Sequence, residues 1–256
     1  MVVSNESLNK RQIFYKNFRM HDQYVKGMRA LLPINEPLNM TYGGMLGFFG
    51  LWMNQNQNAL VLYDTIFKHF ISQEDILPEH PPIQCGGTYN IPELTGTNKI
   101  GRIIEIGSLF GGLSILFNMF AKCYGCDFIG YDICGSPYHE EMEKFDVNMR
   151  KMDVFQDEER LGKEIASEGV TILLCDGGNK IKEFNMFSKY LKSGDVILAH
   201  DYAPDYEFYI KHIQGKIWNV CEITYPNIQE SVEEYNLKPF FYELGLISAT
   251  ACFVKE

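Results

Sequence analysis

The sequence predicts an α/β fold built on a doubly wound, mostly parallel sheet. Three observations carry this reading. After Lys99 short apolar runs alternate with longer amphipathic stretches. The short runs are apolar at successive positions, as strands covered by helices on both faces must be. Several of them end in an acid next to a glycine or an aromatic residue, at the point where such a sheet opens its ligand crevice.

The elements follow in order. Residues 8 to 30 place Leu8, Ile13, Phe14, Phe18, Val25 and Met28 at helical spacing, until Pro33 and Pro37 stop the helix. A Gly-rich apolar loop follows, and the spacing of Leu60, Tyr63, Ile66, Phe67 and Phe70 predicts a second helix from about Asn58 to Ile71. The punctuation by Pro78, Pro81, Pro82, Gly86 and Gly87 predicts a long loop over 73–99. Beyond it, strands are expected at Arg102–Ile106, Phe128–Asp132, Thr171–Asp176, Val196–His200, Ile217–Ile223 and Ala249–Val254, the last at an antiparallel edge. Helices are expected at Gly112–Cys123, Glu158–Ser167, Ile181–Leu191 and Tyr206–Ile213. Residues 1–99 thus read as an N-terminal helical region with a connecting loop, and 100–256 as the ligand-binding domain.

Composition narrows the function classes. A 256-residue chain that is 46% hydrophobic can bury a sizeable core. Its 33 acids against 23 Lys and Arg give a net charge of −10, which disfavours the phosphate backbone of a nucleic acid as partner. The uncharged stretch from Pro37 to Tyr63 is interrupted by Asn54-Gln55-Asn56-Gln57-Asn58 and is too short in its apolar part to span a membrane. Seven scattered cysteines, several inside apolar runs, read as reduced thiols. Cys123 and Cys126 form a CxxC without the second pair that a closed zinc site needs. With no apolar leader segment, a cytoplasmic location is expected.

The strongest local signal is Glu105-Ile106-Gly107-Ser108-Leu109-Phe110-Gly111-Gly112, a strand ending next to an acid and followed by a glycine turn that opens a helix. Leu109 stands where a dinucleotide fingerprint needs its second glycine, which weighs against a nicotinamide-dependent oxidoreductase, the rival enzyme class. The E-x-G-x-x-x-G pattern instead resembles motif I of class I S-adenosylmethionine-dependent methyltransferases. Gly130-Tyr131-Asp132 ends the next strand, 27 positions after Glu105. The resemblance implies that Glu105, Gly107, Ser108 and Gly111 bind S-adenosylmethionine, that Asp132 accepts the ribose hydroxyls, and that Asp153 and Val154 read the adenine. It also implies a seven-stranded, Rossmann-like sheet with an N-terminal helical lid, to which the aromatics Tyr42, Phe48, Phe49 and Trp52 would belong.

Two further strands end Asp176-Gly177-Gly178-Asn179-Lys180 and His200-Asp201-Tyr202. Asp176, His200 and Asp201 are thereby expected to meet in the crevice as ligands for Mg²⁺ or Mn²⁺. With Thr41-Tyr42-Gly43-Gly44 and Leu51-Trp52-Met53-Asn54-Gln55, these motifs resemble the cephalosporin hydroxylase-like and macrocin O-methyltransferase-like group over residues 40 to 202. That resemblance implies O-methylation of a sugar or natural product, several members using a divalent metal. This chain departs from the macrocin-type pattern: Gly178 replaces the second acid of D-G-D, and His200 replaces the first aspartate of D-D-Y. The expected partner is a small acceptor, a sugar or nucleotide-linked sugar, for which Arg19, Lys26 and Arg29 offer a cationic cluster; a homo-oligomer is compatible with the chain. Asp176 is expected to work on the acceptor side, and His200 or Lys180 to act as the base that takes the hydroxyl proton. A non-catalytic protein retaining the fold is the remaining alternative.

Overall fold

The computed structural model describes residues 46–48, 51–53, 55–70, 100–134 and 142–256. The expected helix over 8–30 with Arg19, Lys26 and Arg29, and the expected loop over 73–99, lie outside them. A two-stranded antiparallel hairpin, β1 (Leu46–Phe48) and β2 (Leu51–Met53), precedes helix α1 (Gln57–His69). Asn56 caps that helix by accepting from the Ala59 amide, and its own amide donates to the Ser248 carbonyl.

Seven strands form one sheet: β3 (Ile100–Ile106), β4 (Asp127–Asp132), β5 (Met149–Lys151), β6 (Val170–Cys175), β7 (Val196–His200), β10 (Leu237–Pro239) and β11 (Thr250–Lys255). Their order is β10-β11-β7-β6-β3-β4-β5. The pairs from β7 to β5 are parallel, whereas β11 runs antiparallel to both β7 and β10. This is the doubly wound, Rossmann-like sheet expected of the class I methyltransferase fold.

Alternation along the central strands divides the core between the two faces. Ile103, Ile172, Leu174 and Leu198 pack with α1 and with α2 (Gly112–Tyr124). Ile104, Leu173 and Ile197 pack on the other face with α3 (Glu158–Ile165) and α4 (Lys180–Phe187). Helix α1 therefore belongs to the same core as the sheet, through the buried Leu62, Tyr63, Ile66 and Phe67.

The chain runs from β3 outward to β4 and β5, then crosses back to place β6 on the other side of β3. That reversal opens a crevice at the carboxyl ends of β3 and β6. The tips are tied together there: the Gly107 amide donates to the Tyr131 carbonyl at 2.8 Å, and the Asp176 amide to the Ile106 carbonyl at 2.9 Å.

Several expectations need correction. Ile217–Ile223 is not a strand. Asn219 Oδ1 accepts from the Gly215 amide at 3.1 Å and turns the chain, leaving only β9 (Ile223–Thr224), which pairs in parallel with β8 (Tyr202–Ala203) outside the main sheet. Residues 250–255 do not form the edge, because β10 covers them, with Pro239 on the outer strand where its missing N–H costs no ladder bond. The helix expected to Leu191 stops at Phe187 and continues as a 3₁₀ turn, Ser188–Tyr190. Ser188 Oγ bonds the Phe184 carbonyl at 2.7 Å at that point. Tyr206–Ile213 is one short helical turn, α5 (Tyr206–Phe208), running into a π-helix, Tyr209–Ile213. Helices α6 (Tyr225–Glu234) and α7 (Tyr242–Ser248) were not anticipated. Among the described residues no helix is long and apolar enough to cross a membrane.

Candidate active site

A cavity of about 340 Å³ lies over the carboxyl ends of β3, β4, β6 and β7. Its wall divides chemically into two halves.

The first half is the turn after β3. Gly107 has φ +89°, and a Cβ placed there would stand 2.4 Å from the Asp176 carbonyl oxygen. Glycine is required because the turn passes against the tip of β6 in a left-handed conformation. Ser108 donates to Asp132 Oδ2 through both its amide and its hydroxyl, each at 3.1 Å, while the Cys134 amide donates to Oδ1. Asp132 is thus held beside the turn, where it lines the cavity. Glu105 is buried and accepts from Ser114 Oγ at 2.5 Å. Burial pushes its carboxyl up to about 8, with Asp176 and Asp132 adding to the rise and the Ser114 bond opposing it.

The second half holds Asp176, Lys180, Asp201 and Glu222. Lys180 stands at the first position of α4, whose N-cap Asn179 accepts from the Lys182 amide. Its ammonium lies 2.9 Å from Asp201 Oδ2, 2.6 Å from Glu222 Oε2, 3.2 Å from the Gly177 carbonyl and 3.5 Å from Asp176 Oδ1. Asp201 has φ +61° and accepts from the Trp218 indole at 2.5 Å through Oδ1. Gln55 donates to Asp176 Oδ2 at 2.7 Å.

His200 is fully buried behind this wall. Its Nδ1 is 3.4 Å from Oδ1 of both Asp176 and Asp201, and its ring lies 4.9 Å from that of Trp218. Neither ring nitrogen has a hydrogen-bond partner. Burial alone would lower the imidazole pKa, but the two carboxylates outweigh it and raise it. For Lys180 burial also pulls downward, and Asp176, Asp201 and Glu222 reverse it, holding the ammonium above the ordinary lysine range. An ammonium paired with three carboxylates holds its proton firmly, which weighs against Lys180 as the base. Asp201 is held low, since His200, Lys180 and Trp218 overcome the effect of its burial.

The expected metal donors do converge, with one ligand atom each of Asp176, His200 and Asp201 within 4.8 Å of one another. The set does not fit a divalent ion as it stands. Both Asp201 oxygens already meet protein donors, Asp176 Oδ2 is taken by Gln55, and a full positive charge sits among them.

Of the expected donor-binding residues, Glu105, Gly107, Ser108 and Asp132 line the cavity. Gly111 caps α2 with φ +79°, and its amide closes the turn onto the Ser108 carbonyl. Asp153 and Val154 are not among the lining residues: Asp153 Oδ1 accepts from the Phe155 amide, and Val154 is packed in the core. Sequence reasoning gave no role to Gln55, Trp218 or Glu222. The polar run Asn54–Asn58 was the available signal for Gln55, since an amide inside an apolar stretch requires a partner. His69 packs on Phe70, Phe240 and Phe241, and the exposed His212 lies against Phe208, both away from the cavity lining.

No protein-family model matches the chain, and no curated protein does. Among solved structures, an apo structure of CmcI is 13% identical, over 82% of this chain and 76% of its own, with a TM-score of 0.49. CmcI with Mg-SAM is 14% identical, over 88% of this chain and 87% of its own, with a TM-score of 0.46. A SAM-dependent methyltransferase from Archaeoglobus fulgidus is 17% identical, over 55% of this chain and 62% of its own, with a TM-score of 0.34.

Proposed function

We propose that the protein is a methyltransferase that uses S-adenosylmethionine to methylate a hydroxyl group of a small molecule. The observation that carries this reading is the pairing, in one cavity, of the Glu105–Gly107–Asp132 turn with an acidic wall containing Asp176 and Asp201. The turn suits the donor: Gly107 lets it close against the tip of β6, and Asp132, held by Ser108, presents a carboxylate to a ribose diol. When bound, S-adenosylmethionine supplies a sulfonium methyl, so that an O–CH₃ bond forms as the S–CH₃ bond breaks and the neutral thioether S-adenosylhomocysteine remains.

The protein's task is then alignment and removal of one proton. Asp176 lines the cavity, and its Oδ2 is fixed by Gln55. Asp176 Oδ1 is the atom that receives the acceptor hydroxyl and takes its proton. His200, whose Nδ1 lies 3.4 Å from Oδ1 of both Asp176 and Asp201, stands behind the two carboxylates and holds their charges together. This makes His200 a positioning residue for Asp176 and Asp201, without contact to the acceptor.

For the acceptor, a neutral polyol such as a sugar suits a wall rich in carboxylate acceptors. Lys180 is the one cation among the described lining residues and is paired three ways, so a nucleotide-linked sugar would need cationic groups from elsewhere in the chain. Calorimetric titration with S-adenosylhomocysteine, with NAD⁺ as comparison, tests the donor assignment. Micromolar binding of the former alone is expected, and a preference for NAD⁺ would remove the proposal. Turnover is then assayed on a panel of sugars with radiolabelled S-adenosylmethionine. Tight donor binding without methylation of any acceptor would favour a non-catalytic protein.

A further inference from the structure

Resting on the methyltransferase reading, we propose that the cation around which the acceptor wall is built is the ammonium of Lys180 and not a divalent metal. The argument is one of donors and charges. Lys180 is 6% exposed, and its three N–H bonds have three acceptors at hand: Asp201 Oδ2, Glu222 Oε2 and the Gly177 carbonyl. It bridges the tips of β6 and β7, because Asp176 and Gly177 directly follow one and Asp201 the other. A cation shared between those two carboxylates is what a metal would provide there, holding two like charges together at the mouth of a parallel sheet.

The remaining donors fit the same account. The Trp218 indole takes the Asp201 oxygen that Lys180 leaves, and the Gln55 amide takes Oδ2 of Asp176. An Mg²⁺ ion binds carboxylate oxygens at about 2.0–2.1 Å and demands near-octahedral geometry. Here it would have to share Asp201 and Asp176 with an ammonium 2.9 and 3.5 Å from them, and it would gain an imidazole in place of a third oxygen. The repulsion of the fixed charge is strong where the groups are buried. Lys180 stands four residues after Asp176, so the first turn of α4 delivers the cation to the carboxylate that ends β6. Lys180 is accordingly a positioning residue: it bonds Asp201 directly and, 3.5 Å from Asp176 Oδ1, sets the charge of the wall.

Binding of Mn²⁺, followed by loss of the electron paramagnetic resonance signal of the free ion, tests this without reference to turnover. The wild-type protein is expected to leave the signal undiminished at equimolar metal. Lys180→Met keeps the length and apolar stem of the side chain and removes the charge. It is expected to bind Mn²⁺ at least about tenfold more tightly than wild type, because the carboxylates and His200 are then free to act as ligands. Lys180→Gln serves in its place if the methionine variant does not fold, as judged by circular dichroism. Stoichiometric Mn²⁺ binding by the wild type overturns the proposal, and so does a folded variant that gains no metal affinity. Calorimetry with S-adenosylhomocysteine on the same samples reports the donor site separately. A protein that binds no donor but behaves as expected toward Mn²⁺ would lose the methyltransferase reading and keep the assignment of the cation.

Discussion

Gln55 Nε2 donates to Asp176 Oδ2 at 2.7 Å, joining the segment ahead of helix α1 to the tip of β6 across 121 positions of the chain. The amide is itself oriented, because its Oε1 accepts from the Tyr63 hydroxyl at 2.9 Å. Tyr63 is buried one helical stretch further on, so α1 sets the direction of the amide and the amide sets the carboxylate. A Gln55→Leu variant releases Asp176 Oδ2 and lets the carboxylate rotate. It is expected to lower kcat by about 10–100-fold, with donor affinity kept within about threefold, as removal of an orienting bond does. Single-turnover methylation and calorimetry measure the two quantities, and an unchanged kcat would show that the bond is only structural.

Asp176→Asn keeps the shape of the side chain and removes its capacity to take a proton. Turnover should fall by about 10²–10⁴-fold, the range for loss of a positioned base. Affinity for S-adenosylhomocysteine should change little, since the bonds from Ser108 that hold Asp132 do not involve the Asp176 side chain. Equal losses in turnover and donor affinity would instead mark Asp176 as a support of the β6 tip.

The central strands were legible because each is apolar on both faces and ends in a recognisable polar signal. Glu105, Asp132, Asp176 and Asp201 stood at strand ends in the sequence and stand around one cavity in the structure. The layout after His200 was not legible. A Trp218 whose ring covers His200 and whose indole bonds Asp201 looks, in sequence, like one apolar residue in a strand. The short strands β5 and β10, three residues each, carry too little periodicity to be seen. Lys180 was visible as a residue beside the site, but its role depends on three carboxylates from separate elements. No local pattern could have revealed that its proton is held in place.

Gly107→Ala tests the join between the two halves of the site. The added methyl would meet the Asp176 carbonyl oxygen and the Gly177 Cα within 2.6 Å, both of them backbone atoms, at a φ that alanine resists. Relief requires the tips of β3 and β6 to part. A loss of about 2–4 kcal/mol is expected from strain of this kind, lowering Tm by roughly 5–10 °C. Donor binding should be lost with it, and wild-type affinity in the variant would contradict the proposed approach of the donor to this turn.

Glu105 makes the stability of the fold depend on pH. Its carboxyl is pushed from 4.5 up to about 8 by burial, so between those values the folded state keeps a proton that the unfolded state releases. The stability that this difference contributes is complete below about pH 4.5 and is lost as pH rises toward 8. Glu183, raised to about 7 chiefly by its burial, acts in the same direction, so the wild-type slope alone does not isolate Glu105. Glu105→Gln does, because an amide oxygen still accepts from Ser114 and carries no titrating proton. Thermal unfolding of the two proteins from pH 5 to pH 8 should show the wild type losing about 5 °C or more relative to the variant. Parallel curves would mean that Glu105 is ionised throughout that range, and that the acid beside the donor turn meets a cation or water which its buried position does not supply.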